Sequence, residues 1–183
     1  EIMTIARKNN LFVIEDCSQA HGAKINNKYV GSFGDIAVWS FCQDKIISTS
    51  GEGGMIATNN KKFFKEIWSL KDQGRNINKI GKSRGNKFKY IHDFLGLNFR
   101  MTEIQAQIGI IQLSNLSRWI NKRNSNAKLI LNFLKKYPKI FELIKTKKNY
   151  KHAFYRLCVT LKLSKKNTKR FLNLCRHKNL QIT

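Results

Sequence analysis

The chain has 183 residues, with 35 Lys and Arg against 11 Asp and Glu and a formal charge of +24. Its 42 % hydrophobic content can bury a real core, which excludes wholesale disorder. No run of about 18 apolar residues is present to cross a membrane, and a lone proline, Pro138, excludes proline-rich and collagen-like classes.

Ile2–Lys8 is too short and too polar for a signal peptide. Cys17, Cys42, Cys158 and Cys175 form no C-x-x-C pair, so they read as reduced thiols of a cytoplasmic protein. Residues 1–120 hold 17 basic and 10 acidic side chains, whereas residues 121–183 hold 18 and 1. Lys, Asn and Ile together make up 66 residues, so the excess follows a bias of the whole chain. No basic stripe interleaved with aromatics marks a nucleic-acid module, and neither nucleic acid nor a membrane is an expected partner.

In chain order, Leu11–Ile14 predicts a buried strand that ends in Glu15-Asp16. Ala23–Val30 alternates about Asn26-Asn27, which predicts a small hairpin. Further strands are expected at Ile36–Phe41 and, after the turn Gly51-Glu52-Gly53-Gly54, at Met55–Thr58. Asn59-Asn60 cap a helix whose apolar face holds Phe63, Phe64, Ile67, Trp68 and Leu70. Residues 74–90 lack periodicity and read as a long exposed loop. Thr102-x-x-Gln105 is a capping box before an amphipathic stretch that reaches Leu134, with a kink expected at Asn115–Ser117. A strand at Ala153–Leu161 and a helix at about Lys165–Lys178 complete an α/β pattern. The chain is expected to be a piece of a larger fold. It begins without methionine, an apolar segment starts at Ile182, and three core strands are few for an open sheet.

Asp16 is predicted at the carboxyl end of a strand, where open α/β sheets bind ligands, although an acid there also caps a following helix. Lys45 follows a second strand end, a place where most lysines are simply solvated. The glycine turn at 51–54 lacks the pattern of a phosphate cradle.

Taken in order, these segments have a resemblance. Glu15-Asp16-Cys17-Ser18-Gln19-Ala20-His21-Gly22-Ala23 comes first, then Gly31-Ser32-Phe33-Gly34-Asp35, then Ser40-Phe41 with Lys45, then Gly51-Glu52-Gly53-Gly54-Met55. Leu95-Gly96-Leu97-Asn98-Phe99-Arg100-Met101-Thr102-Glu103-Ile104-Gln105-Ala106 follows. The set closely resembles the DegT/DnrJ/EryC1/StrS family of pyridoxal-phosphate-dependent sugar aminotransferases, from about Leu11 to Arg123.

The resemblance implies part of a fold-type I large domain over residues 1–120: a mixed, mostly parallel sheet with helices. A connecting helix and the start of a small α/β domain are implied over 121–183. It also implies roles. Asp16 would hold a proton on the cofactor's ring nitrogen, Gln19 would bond its 3-oxygen, Ser40 its phosphate, and Lys45 would be the Schiff-base lysine. Asn98 would reach the phosphate of a neighbouring subunit's cofactor, which makes a homodimer the expected assembly. His21 and His92 are expected to be structural or hydrogen-bonding, and Arg100 is open to a nucleotide or a partner subunit. Glu52 is expected to order the glycine turn.

Lys45 favours transamination over dehydration, since related dehydratases carry histidine there. The expected substrate is a nucleotide-linked keto-sugar and the expected donor glutamate. The family's segment before the aspartate motif, with its phosphate cup and ring-stacking aromatic, has no counterpart here, so the chain alone is expected to be inactive. A basic, non-catalytic binding protein on a degenerate scaffold is the alternative.

Overall fold

The computed structural model describes residues 1–80, 92–180 and 182. The elements in order are α1 (Ile2–Lys8), β1 (Ile14–Asp16), β2 (Lys24–Ile25), β3 (Lys28–Tyr29), β4 (Ile36–Ser40), β5 (Gly54–Ala57), α2 (Lys61–Lys71), α3 (Glu103–Leu134), β6 (Phe141–Leu143), β7 (Tyr150–Lys151), β8 (Val159–Leu161) and α4 (Lys165–His177). The strands fall into two groups, β1–β5 and β6–β8, separated by α2 and α3, and the parallel pairing of β1 with β4 keeps the chain within the α/β class. The predicted 74–90 loop holds a short 3-10 turn at Ile77–Lys79, and its stretch beyond residue 80 lies outside the described residues.

The central sheet has the order β1-β4-β5 and is mixed. β1 runs parallel to β4, with Asp16 opposite Val38, and β5 runs antiparallel to β4, with Gly54 opposite Ser40. The first strand starts three residues later than Leu11–Ile14 predicts. Val13 N–H donates to the Asp35 carboxylate at 2.8 Å, and Val13 O accepts from Asp35 N at 2.9 Å, so the ladder with β4 begins only at Ile14. Phe12 instead packs edge-on against Phe63 of α2, with ring centroids 5.1 Å apart.

Glu15 explains the glycine motif that follows it. Its carboxylate accepts from the backbone N–H groups of Gly31 (2.8 Å), Phe33 (2.6 Å) and Gly34 (2.6 Å). A Cβ at Gly34 would lie 2.7 Å from Val13 O, too close for any other residue. One acid therefore folds the whole 31–34 bend against β1.

Asn26 (φ 49) and Asn27 (φ 65) both adopt left-handed backbone, as a two-residue hairpin turn demands. The hairpin gains a third strand from far along the chain, β7, with Lys24 opposite Lys151. Asn60 caps α2, its side chain accepting from Lys62 N and Phe63 N. Thr102 and Gln105 form both halves of the capping box of α3. That helix continues through Asn115–Ser117, where a kink is expected. Asn115 and Ser114 there bond back to the Ile111 carbonyl without ending it. Residue 120, where the two units are expected to divide, lies inside α3.

The predicted strand Ala153–Leu161 forms only at Val159–Leu161, paired with β6. Before Val159 the chain is held by side chains of α3: Arg123 donates to Phe154 O at 3.1 Å, and Asn124 to His152 O, just ahead of the predicted strand, at 3.0 Å. Ala153, 1 % exposed, enters a core cluster with Ile46 and Ile120, against which Ala23, Leu116 and Tyr155 pack.

His21 is 2 % exposed and tilts against Phe41, with centroids 6.0 Å apart. Among the described residues, neither ring nitrogen completes a hydrogen bond. Burial is the main cause that holds this ring below its ordinary titration range, and the Ser40 backbone carbonyl works weakly against it.

Two outcomes follow for stability. Glu15→Ala should lower the urea-unfolding free energy by about 2–3 kcal/mol, because it strands amides that a charged acceptor now satisfies. For His21, the unfolded chain takes up a proton near pH 6.5 and the folded chain only at lower pH. Its contribution to stability is therefore present above about pH 6.5 and declines as pH falls below it. The urea midpoint should drop more between about pH 7 and pH 5.5 in the parent chain than in His21→Leu; equal drops would remove His21 from the account.

Candidate active site

The sheet brings Asp16 and Ser40 to one edge. Asp16 closes β1, Ser40 closes β4, and these neighbouring strands are parallel, so both residues stand at carboxyl ends. Asp16 Oδ1 accepts from Ser18 Oγ at 2.5 Å and from Ser18 N at 3.0 Å. The Ser18 hydroxyl and amide, with a smaller effect from the Lys45 charge, hold the carboxyl below its ordinary range. Both bonds fall on Oδ1; among the described residues none is made to Oδ2. An ionised oxygen is thus presented at the sheet edge, ready for a cationic N–H.

Gln19 is exposed in the turn after β1, a turn closed by Ala20 N donating to Cys17 O at 2.9 Å. Ser40 Oγ accepts from Cys42 N at 3.3 Å. The loop after Ser40 is closed at its base by Thr49 N donating to Phe41 O at 3.2 Å, and tightened by Lys45 N donating to Cys42 O at 3.0 Å. That double closure places Lys45, whose side chain is 16 % exposed, beside the strand ends. Its charge acts on Asp16 and on His21, in each case as the smallest of the causes that shift them.

Lys45 is not isolated there. Its Nζ lies 3.0 and 3.3 Å from the two Asp44 oxygens, and Asp44 Oδ2 accepts from the Tyr155 hydroxyl at 2.5 Å. Tyr155 is the residue that sequence reasoning missed. It stands 111 positions from Asp44, and no local pattern points to it.

The glycine turn at 51–54 serves close packing. Thr49 is fully buried and donates to Glu52 O at 3.3 Å, and a Cβ at Gly53 would meet Thr49 Oγ1 at 2.2 Å. Gln105 Nε2 donates to the same carbonyl at 3.0 Å, tying the start of α3 to the turn. Glu52 thus orders the turn through its backbone, while its carboxylate accepts from Cys42 Sγ at 3.3 Å.

Asn98 is exposed and sits in a segment laid along the end of α2. Gln73 N donates to Leu97 O, Leu97 N to Leu70 O and Phe99 N to Lys71 O. Arg100 pairs at 2.7 Å with Asp72, a buried acid at the end of α2, and His92 Nδ1 meets Gln73 O at 2.5 Å. Arg100 and His92 therefore brace this segment. Among the described residues, no contact joins Asn98 to Asp16, Ser40 or Lys45. Nor do three His, Cys, Asp or Glu gather there as a metal site, and no helix is long and apolar enough to span a membrane.

The chain is similar to several known proteins. The chain is 36 % identical over 159 residues to GDP-perosamine synthase of Escherichia coli O157:H7, covering 87 % of this chain and 40 % of that protein. It is 33 % identical over 160 residues to UDP-N-acetyl-3-dehydro-alpha-D-glucosamine 3-aminotransferase of Acidithiobacillus ferrooxidans, again covering 87 % and 40 %. The crystal structure of an aminotransferase from Psychrobacter cryohalolentis superposes with a TM-score of 0.87 at 37 % identity, over 96 % of this chain and 48 % of that one. The chain thus spans less than half the length of these relatives. Since the match to the family's pattern runs over residues 1–183, the chain belongs to the DegT/DnrJ/EryC1/StrS aminotransferase family.

Proposed function

We propose that this chain is part of a pyridoxal-phosphate-dependent aminotransferase that moves an amino group from glutamate to a nucleotide-linked keto-sugar. The reading extends to a cytoplasmic homodimer that serves polysaccharide or modified-sugar biosynthesis. The observation that supports it is that Asp16 and Ser40 close the neighbouring parallel strands β1 and β4, with Lys45 in the loop that follows β4. Two relatives, GDP-perosamine synthase and the UDP-N-acetyl-3-dehydro-alpha-D-glucosamine 3-aminotransferase, support the substrate class. They differ in nucleotide, so the class stays at nucleotide-linked sugars.

The residues present fit pyridoxal phosphate by their chemistry. Bound, the cofactor supplies an electron sink for charge that develops at the carbon bearing the nitrogen. Asp16, ionised and with Oδ2 unengaged, would hold a proton on the ring nitrogen. Gln19 would donate its amide to the ring's 3-oxygen, and Ser40 its hydroxyl to the phosphate. Lys45 would attach the cofactor through Nζ and then move a proton at that same nitrogen. Asn98, exposed and bridged through its backbone to Asp72 at the end of α2, would reach a second copy's phosphate.

Borohydride reduction in the presence of pyridoxal phosphate, followed by peptide mapping, tests the reading. The cofactor should be fixed to Lys45 and lost in Lys45→Ala; fixation at Lys24 or Lys71 would overturn the assignment. In a form of the protein that transaminates, Asp16→Asn should retain the adduct and lower the glutamate half-reaction by about a hundredfold or more. Unchanged turnover would remove Asp16 from that role.

A further inference from the structure

Asp44 and Lys45 are sequence neighbours, and neighbouring side chains in an extended chain point apart. Here the turn closed by Lys45 N and Cys42 O brings them together, so that both Asp44 oxygens face Nζ at 3.0 and 3.3 Å. Half of the Asp44 side chain is exposed, and a pair of this kind alone holds weakly because the carboxylate rotates freely into water. Tyr155 removes that freedom. Its hydroxyl donates to Asp44 Oδ2 at 2.5 Å, and its ring packs on the buried Ile46–Ile120–Ala153 cluster. The same ring lies 5.3 Å from Lys45 Nζ and 5.5 Å from the Arg156 guanidinium.

We propose that Asp44, held in place by Tyr155, is a positioning residue that keeps the Lys45 amine protonated and turned toward the C-terminal segment until a ligand draws it away. The proposal rests on the reading of Lys45 as the reactive lysine. An amine attacks a carbonyl only after its ammonium gives up a proton. The Asp44 hydrogen bond is the leading cause that raises the pH at which Nζ does so, against a smaller opposing effect of burial. Asp44 itself is pulled down to about 2, first by the Tyr155 hydroxyl and then by Lys45, so it stays ionised wherever Lys45 titrates. The other charged or titratable groups facing this pair are Asp16 at the end of β1, His21 in the turn behind it, Cys42 in the same loop, and Arg156 over the tyrosine ring. None of these is hydrogen-bonded to Nζ among the described residues, whereas Asp44 is.

The test needs no cofactor, which separates its failure from failure of the aminotransferase reading. The 183-residue chain is reductively methylated with formaldehyde and cyanoborohydride at several pH values. Peptide mass spectrometry then compares Lys45 with the exposed Lys61 and Lys165 in the same sample. Asp44→Asn should raise the relative rate at Lys45 about two- to fivefold near neutral pH and move its pH profile to lower values, the range a partly exposed ion pair supports. Tyr155→Phe keeps the ring and loses only the hydroxyl; it should move the profile the same way by less. Asp44→Glu should restore a profile near that of the parent. A loss of fold would itself expose Lys45, whose side chain is 16 % exposed, and raise the ratio, so each variant's circular dichroism and urea midpoint are matched to the parent and Asp44→Glu serves as the control that keeps the charge. A parental ratio in Asp44→Asn, or in Tyr155→Phe, overturns the proposal.

Discussion

Ile46, Ile120 and Ala153 come from three distant segments and bury one another almost completely. Each lies next to, or carries, a residue of the proposed site or its support. Ile46 follows Lys45 directly, Ile120 lies mid-way along α3, and Ala153 precedes the turn that presents Tyr155. Burying an isoleucine is worth about 1.5–3 kcal/mol, more than any exposed ion pair around the lysine. The polar contacts near Lys45 are thus arranged by an apolar contact beneath them. Leu116 and Ala23 extend the cluster to the helix and the hairpin, so the same small core registers four pieces of chain against the ends of β1 and β4.

Acids are scarce in this basic chain, and those it has are mostly committed. Glu15 and Asp35 accept backbone N–H groups that shape the edge of the sheet. Asp72 and Asp93 pair with cations around the end of α2, and Asp44 with Lys45. The C-terminal third holds one acid, Glu142. Its excess lysines consequently face solvent and salt, where screening leaves them little influence on the fold.

Local chemistry was legible in the sequence. Asn26-Asn27, Asn60 and Thr102-x-x-Gln105 each satisfy a backbone need within four residues, and each sits where the pattern places it. The site residues of the lysine loop were legible only as a linked set, since Asp16 or Lys45 alone has ordinary solvated readings. What depends on distant partners was not legible. Leu11 and Phe12 look like a strand, yet pairing waits for Ile14 because Asp35 claims Val13. Ala153–Leu161 looks like one strand, yet Arg123 takes the Phe154 carbonyl in its first half and Asn124 the His152 carbonyl just before it. Tyr155 has no sequence signal at all, because its partner lies 111 residues away.

That separation governs the order in which the molecule can be built. Asn26 meets Asn149 across 123 positions, and Asp44 meets Tyr155 across 111. Closing loops of this length costs entropy that local turns and caps do not, so such contacts form late in folding. On a ribosome, the β1–β4 pairing and α3 can assemble while the chain is still growing, whereas the lysine loop receives its last support only after residues 150–156 have emerged. Until then Lys45 lacks the Tyr155-held Asp44 beside it, so the loop after β4 is braced later than the strands it follows.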